Sequence, residues 1–438
     1  MYIKHFNNSF FLIKTEKVKL VCDPWLGSMQ STATWSYPNI KQDLNILNSI
    51  NPDIIYISHL HTDHYDKKIL KKFRNKKNVR IIIKDFKDKR LKKKLLNLGY
   101  KRFVELNSWQ TSDFKDIEFT IIPSDSTNSQ GIQNKIIYDL DTSILIYDRK
   151  SKVCFYNNVD NPLSLKSIKK VKSIATRKYR KLDIASVGPR SASEFPQCFM
   201  NINRSLYKKK VIQRCLKRAQ NILNILKPKY YIPAGGSYIV SGKNANLQKF
   251  VAHPSLNTVR NFFKKNNNFQ TIQLDYCSEA KLSKNQKIKV TSKSPSISMN
   301  QALKKLKTKK YPYSKIKSTK DTTFLFNKAK INYFNRLRKL KVLVNWKINF
   351  FLYKDFRLNN ANKIKNKKKF IYKFSISDEN RHKFIQELNC YMDAKLFLVL
   401  LKREYNWNMS IGGSIMMFER YPEEFFPDLP FSLNFLTI

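Results

Sequence analysis

Ile54-Ile55-Tyr56-Ile57-Ser58-His59-Leu60-His61-Thr62-Asp63-His64 is the stretch on which the fold turns. Pro52-Asp53 launches an apolar run that reads as a buried strand, and the run empties into a turn holding three of the chain's six histidines and an aspartate. Alternate residues leaving a strand point to one side, so His59 and His61 converge on one cation while Asp63 and His64 turn across to a second. Imidazole nitrogen with carboxylate oxygen suits one or two divalent transition metal ions, zinc first, with iron or manganese as alternatives. A turn that only capped the Lys-rich helix after it, through about Arg74, would need a single Asp or Thr.

Outward from that turn the chain alternates strand and helix signals. Tyr2–Phe6, Phe10–Lys14 and Lys17–Cys22 show period-two patterning, and the last ends in Asp23-Pro24-Trp25-Leu26-Gly27. Beyond the helix lies another buried strand, Val79–Lys84, and then a meander at Ile117–Pro123, Lys135–Asp139, Ser143–Tyr147 and Lys152–Tyr156, which stops at Asn157-Asn158-Val159-Asp160. A second α/β unit runs through Leu182–Val187, a long helix around Lys208–Leu226, and Tyr230–Pro233 before Ala234-Gly235-Gly236-Ser237. This gives a first domain over 1–277. Residues 278–320 are rich in lysine and serine and read as a solvated linker or crossing. Residues 321–438 read as a smaller α+β accessory region, with one or two amphipathic helices over 383–407 and a strand over 411–420.

Composition sets the limits. The 438 residues carry 84 Lys and Arg against 32 Asp and Glu, a formal charge of +52, and 42% of them are apolar, enough to fill real cores. No stretch approaches the roughly 18 uninterrupted apolar residues of a membrane-spanning helix. The first residues alternate apolar and polar without a long apolar segment or a small-residue cleavage site, so they read as a strand and not as a secretion signal. Six scattered cysteines with no C-x-x-C pair suggest free thiols in a cytoplasmic protein. The charge draws attention to nucleic acid and anionic membranes. Lysine spread along the entire chain together with asparagine and isoleucine is, however, what an AT-rich coding sequence imposes, and this reading is preferred to a selected polyanion partner.

Ser58-His59-Leu60-His61-Thr62-Asp63-His64 resembles the H-x-H-x-D-H signature of the metallo-β-lactamase fold, an αββα sandwich with metals at the sheet edge, and Cys22-Asp23-Pro24-Trp25-Leu26 strengthens the likeness. Within that superfamily the chain looks most like the metallo-β-lactamase-like part of CMP-N-acetylneuraminate hydroxylase and its bacterial relatives. The likeness is carried by CDPWLG, ISHLHTDHYD, SEFPQCF (193–199) and KPKYYIPAGGS (227–237). The resemblance implies that His59 and His61 bind one metal and Asp63 and His64 the other, with Asp160 bridging and Asp23 orienting a ligand histidine. It further implies a water held between cations, its pKa lowered toward neutrality to supply a hydroxide nucleophile, with Asp63 orienting it. The function expected is hydrolysis of an ester, amide or phosphodiester in a small-molecule substrate, a sugar or nucleotide sugar. A nuclease-like or phospholipase-like member acting on polyanions and a non-catalytic binding module are the rivals.

Departures from the pattern shape the remaining expectations. The third histidine motif of the superfamily is missing, and Asp125 in Pro123-Ser124-Asp125 is taken as its substitute. The last motif has Gly235 where a histidine ligand is expected, and His253 is the candidate to fold back and compensate, against the preferred reading of a helix-start histidine. Gly235, Gly236 and Ser237 are assigned to close approach of the substrate to the backbone. No cysteine has a histidine within three residues, so the C-x-H and C-x-x-H pairs of a Rieske centre are absent and no iron–sulfur cluster is expected. His5 and His382 are read as structural. Trp407, Asn408, Ile411, Gly412 and Gly413 form a W-N-x-x-I-G-G pattern read mainly as accessory core, with a lid over the cleft as the alternative.

Overall fold

The computed structural model describes residues 1–27, 33–37, 43–125, 132, 141–191, 193–235, 238–264, 269–274, 278–282, 287–291, 297–378 and 383–438. Eight strands form one sheet in the spatial order Ile288–Thr291, Glu279–Leu282, Tyr2–Asn7, Phe10–Lys14, Lys19–Cys22, Ile54–Tyr56, Arg80–Lys84 and Arg102–Leu106. Seven form a second: Gln270–Thr271, Tyr230–Ile232, Ile184–Ser186, Val153–Asn157, Thr142–Asp148, Ile117–Pro123 and Thr111–Phe114.

Alternation along each strand assigns the layers. Ile54 and Tyr56 join Ile3, Phe11 and Leu20 in facing Phe119, Ile144, Phe155 and Ile232 of the second sheet. Ile55 and Ile57 point the other way, onto the helices Ile46–Ile50, Lys67–Lys72 and Arg90–Asn97. On the far side, Leu145, Tyr156, Ala185 and Tyr231 pack against the helices Leu165–Tyr179, Arg204–Leu226 and Leu256–Lys264. The four layers are helix, sheet, sheet, helix, the α/β sandwich expected.

Strand direction then places the site. Lys19–Cys22, Ile54–Tyr56 and Arg80–Lys84 run parallel in one sheet, as do Val153–Asn157, Ile184–Ser186 and Tyr230–Ile232 in the other. Loops leaving the carboxyl ends of such strands share one rim, which is where open α/β sheets bind ligands. Asp23, Ser58–His64, Asp160 and Gly235 all leave these strands in this way.

Two expectations change. Residues 278–320 are not a linker throughout. Glu279–Leu282 pairs antiparallel with Tyr2–Lys4 and carries Ile288–Thr291 on its outer side, because Ala280 and Leu282 face the core while Lys281 faces solvent. The first sheet therefore extends past the boundary at 277. Over 383–407, Gln386–Asp393 is a central strand, parallel to Trp346–Tyr353 and antiparallel to Met417–Tyr421, and only Ala394–Leu401 is helical before the short helix that starts at Trp407. An apolar residue at every second position buries one face of that strand, and the helical reading overlooked this period. The expected strand Lys135–Asp139, and His382 and Cys277, lie outside the described residues.

The carboxy-terminal sheet is fused to the sandwich. Phe418 N donates to Cys198 O at 2.8 Å and Met200 N to Phe418 O at 2.9 Å, so the segment after Glu194 continues that sheet. Cys198, Phe199 and Leu247 share one apolar cluster with Trp346, Phe397 and Trp407. No helix among the described residues is long and apolar enough to cross a membrane.

Candidate metal centre

Asp23 is the foundation of the site. It is fully buried, its backbone sits at φ 42°, and its carboxylate accepts from Ser58 N at 2.8 Å, from Ser58 Oγ at 2.7 Å and from His64 Nδ1 at 2.9 Å. With the Ser58 hydroxyl donated to Asp23, His59 Nδ1–H is left to donate to Ser58 Oγ at 2.9 Å. That assignment turns the lone pair of His59 Nε2 outward. His64 Nδ1 is engaged by Asp23, so Nε2 is the nitrogen that faces the second group. One buried acid thus orients two rings.

The histidine turn and its neighbours form two groups of three. His59, His61 and Asp141 make one; Asp63, His64 and Asp160 make the other; within each, the ligand atoms lie within 4.8 Å of one another. In the first, His59 Nε2 is 2.8 Å from His61 Nδ1 and 3.4 Å from Asp141 Oδ1. In the second, His64 Nε2 is 3.1 Å from Asp160 Oδ2 and 3.5 Å from Asp63 Oδ2. Ligands held at about 2.0–2.2 Å from a four-coordinate cation stand about 3.3–3.6 Å apart, and the longer separations meet that spacing. The rings of His59 and His64 are 4.2 Å apart, so the groups abut.

Asp141 Oδ1 is buried and has no hydrogen-bond partner among the described residues, a costly state for a carboxylate oxygen that a cation beside His59 would relieve. Burial pushes the Asp141 carboxyl up to about 7, with Asp160 adding to the effect. Burial, reinforced by His64 and His61, holds His59 well below the usual imidazole range, and burial does the same to His61. Both are therefore neutral, the form that ligates a metal. For His64, burial is outweighed by Asp63 and Asp23, which raise the ring's pKa well above its ordinary value. For Asp63, burial is outweighed by His64 and His61, which hold the carboxyl at about 2, and Asn8 Nδ2 donates to it at 3.2 Å. The donor set fits divalent cations.

Several sequence-derived residues stand elsewhere. Asp125 is no ligand: its oxygens accept from Ser164 N at 2.8 Å and from the hydroxyls of Ser164 and Ser167, which fixes the start of the helix Leu165–Tyr179. His253 does not compensate for Gly235. Its ring packs edge-on against Tyr238 at 4.6 Å, Nε2 is buried without a partner, and it belongs to neither group. Gly235 does line the cleft, at φ 105°, and a Cβ there would stand 3.7 Å from Asp160 Oδ1. Gly236 and Ser237 lie outside the described residues. His5 is structural, bonded to Leu274 O and Asn8 O and stacked on Phe11. Trp407 is core, its Nε1–H donating to Leu436 O, while its neighbours Asn408, Met409 and Gly412 border the cleft.

Sequence reasoning missed Asp141 and Asn8. Asp141 precedes Thr142–Asp148, which runs antiparallel to Val153–Asn157 with Ile144 opposite Asn157. Counting that register outward brings 141 level with 160, so a carboxylate at the start of one hairpin arm meets one beyond the end of the other. A search for histidine alone passed over this signal.

His61, Asp63, Asp141 and Asp160 open into a cleft of about 780 Å³. Residues 2–175 match the family model described as beta-lactamase superfamily domain. A protein of Mycolicibacterium smegmatis that carries the name Rieske 2Fe-2S iron-sulfur protein is 30% identical over 106 residues, 24% of this chain and 20% of that one. A counterpart in Mycobacterium tuberculosis is 33% identical over the same shares. The chain thus spans about a fifth of the length of these curated relatives. Among solved structures, isothiocyanate hydrolase from Delia radicum gut bacteria is 13% identical with a TM-score of 0.44, covering 65% of this chain and 100% of that one. The diiron β-hydroxylase CmlA from Streptomyces venezuelae is 14% identical with a TM-score of 0.41, covering 62% and 53%. At that distance neither likeness bears on the reaction. The histidine turn, the two packed sheets and the family match agree, and the chain carries a metallo-β-lactamase-fold domain.

Proposed function

We propose that the chain is a metal-dependent hydrolase acting on an ester, amide or phosphodiester bond of a small molecule, a sugar or nucleotide sugar. The observation that carries the reading is the pair of complete three-residue groups, His59/His61/Asp141 and Asp63/His64/Asp160, at the mouth of one cleft. The cleft's volume falls in the range of about 300–1,000 Å³ that suits a small ligand. A divalent cation in such a group supplies Lewis acidity and lowers the pKa of water toward neutrality.

The chain's own residues do the rest. Asp23 orients His59 through Ser58 and His64 directly at Nδ1, so that Nε2 of each ring faces its group. Asp63 stays ionised across the neutral range, and Asn8 aims it, so it can accept a hydrogen bond from an attacking water. Gly235 keeps the rim beside Asp160 free of a side chain. The Rieske name of the mycobacterial relatives is not carried over, because the chain has no C-x-H or C-x-x-H pair to hold such a centre.

The rival of a binding module with a degenerate site loses its main support once Asp141 supplies the third ligand. Elemental analysis of the purified protein, paired with chromogenic ester and phosphodiester substrates, tests the proposal. At least one equivalent of a transition metal is expected, with turnover that chelation removes and metal restores. Less than about 0.2 equivalents, with His59→Ala indistinguishable from wild type, would sink it.

A further inference from the structure

The cations lining the cleft are out of step with the chain's composition. Of 84 basic residues only 18 are arginines. Charge that merely followed codon composition would put lysine on this wall. Among the described residues the metal-facing cleft is lined by Arg190, Arg214 and Arg218 and by no lysine, and Lys210 and Lys217 enter only on the adjoining groove. Lysine and arginine are not interchangeable: a guanidinium fork takes two oxygens of a phosphoryl group at once, whereas an ammonium is a point charge.

Arg214 and Arg218 lie one turn apart on the helix Arg204–Leu226, about 6 Å along its axis, with the buried residues Leu216, Ala219 and Leu223 on its other face. Both are exposed and make no ion pair among the described residues. With Leu163, Leu165 and Ile222 they line both the metal-facing cleft and an adjoining groove of about 560 Å³, so one wall serves both spaces. Across the cleft Arg190 Nη1 donates to Gly235 O at 3.3 Å, which ties a third guanidinium to the loop beside Asp160. Trp25, 1% exposed and lining the same cleft, has an Nε1–H without an acceptor among the described residues.

We infer that Arg214 and Arg218, with Arg190 opposite, form a subsite for the diphosphate of a small-molecule substrate, placing the bond to be broken over the two acidic-imidazole groups. The inference rests on the proposed hydrolase reading for its catalytic meaning, but the subsite itself does not need turnover. Two forks one helical turn apart match two linked phosphoryl groups, and the helix holds them at fixed spacing.

The test is calorimetric titration of the full chain with uridine diphosphate, with uridine as the uncharged control, in wild type, in R214A/R218A, in R214K/R218K and in metal-stripped wild type. Uridine diphosphate should bind and uridine should not. R214A/R218A should lose at least about tenfold in affinity, the loss expected for charged hydrogen bonds. R214K/R218K, which keeps the charge but removes the forks, should lose about threefold or more, and the metal content of both variants should equal that of wild type. Metal-stripped protein should keep most of its affinity, so the subsite survives even if no hydrolysis is found. Lysine variants that bind like wild type would overturn the inference. So would affinity that vanishes with the metal and ignores the arginines, or a single-stranded oligonucleotide that binds along the groove far more tightly than the diphosphate.

Discussion

Two candidate groups of three draw four of their six residues from one turn, His59–His64, yet are held in different ways. His59/His61/Asp141 is rich in nitrogen, and its only carboxylate comes from the opposite sheet and has an oxygen that nothing else satisfies. Asp63/His64/Asp160 is rich in oxygen, and its histidine is clamped by buried Asp23. Both span the seam between the sheets, because Asp160 also leaves the second sheet, but the second group is in addition tied together by the contacts of His64 with Asp23, Asp63 and Asp160. Nitrogen-rich and oxygen-rich sets favour softer and harder cations respectively, so the two groups should differ in affinity for a given cation.

The largest effect should come from removing the carboxylate that completes the first group. Asp141→Ala should reduce bound metal by about one equivalent and turnover by about 10²-fold or more, read by elemental analysis and kinetics. Unchanged metal content in that variant would erase the distinction between the two groups. Next, Asp23→Asn removes the negative charge and turns one of the two oxygens that hold Ser58 and His64 into an N–H donor. It should weaken metal affinity by about 10–100-fold, chiefly in the second group, with the fold retained by circular dichroism.

The excluded histidine gives a smaller, pH-dependent effect. Burial, with Arg190 nearby, holds His253 at about 3 in the native state, against an ordinary value of about 6.5. Between those values the unfolded chain binds a proton that the native chain does not, so stability is lost as pH falls below about 6.5, by at most about 1.4 kcal/mol per unit. Denaturant melts of His253→Gln should show a shallower acid limb while metal content stays unchanged. Smallest of all, Asp125→Ala should lower stability by about 1 kcal/mol through loss of the helix-start hydrogen bonds, with both metals in place. A metal deficit there would restore Asp125 to the ligand set and break the partition.

The sandwich and half of the centre were legible because they are local. An apolar run followed by H-x-H-x-D-H needs only adjacent residues to be read, and strand alternation fixes which sheet face is buried. The remaining ligands depend on register between distant segments. Asp125 and Asp141 are both acids beside strands of one hairpin, and only pairing shows that one meets two serines and the other meets His59. The lysine-rich 278–291 misled for a related reason: charge on the outer face of an edge strand looks like solvated linker until the buried Ala280 and Leu282 are seen between the lysines.

The hydrogen bonds that sew Phe418 to Cys198 and Met200 carry a practical lesson. A fragment truncated after the last strand of the sandwich would keep every candidate ligand and still present Cys198, Phe199 and Leu247 to water, stripped of their cover. Such a piece should precipitate before it could be assayed. Anyone trimming the gene to a minimal domain would be cutting through a shared hydrophobic weld, so the last hundred or so residues are part of what keeps the protein in solution.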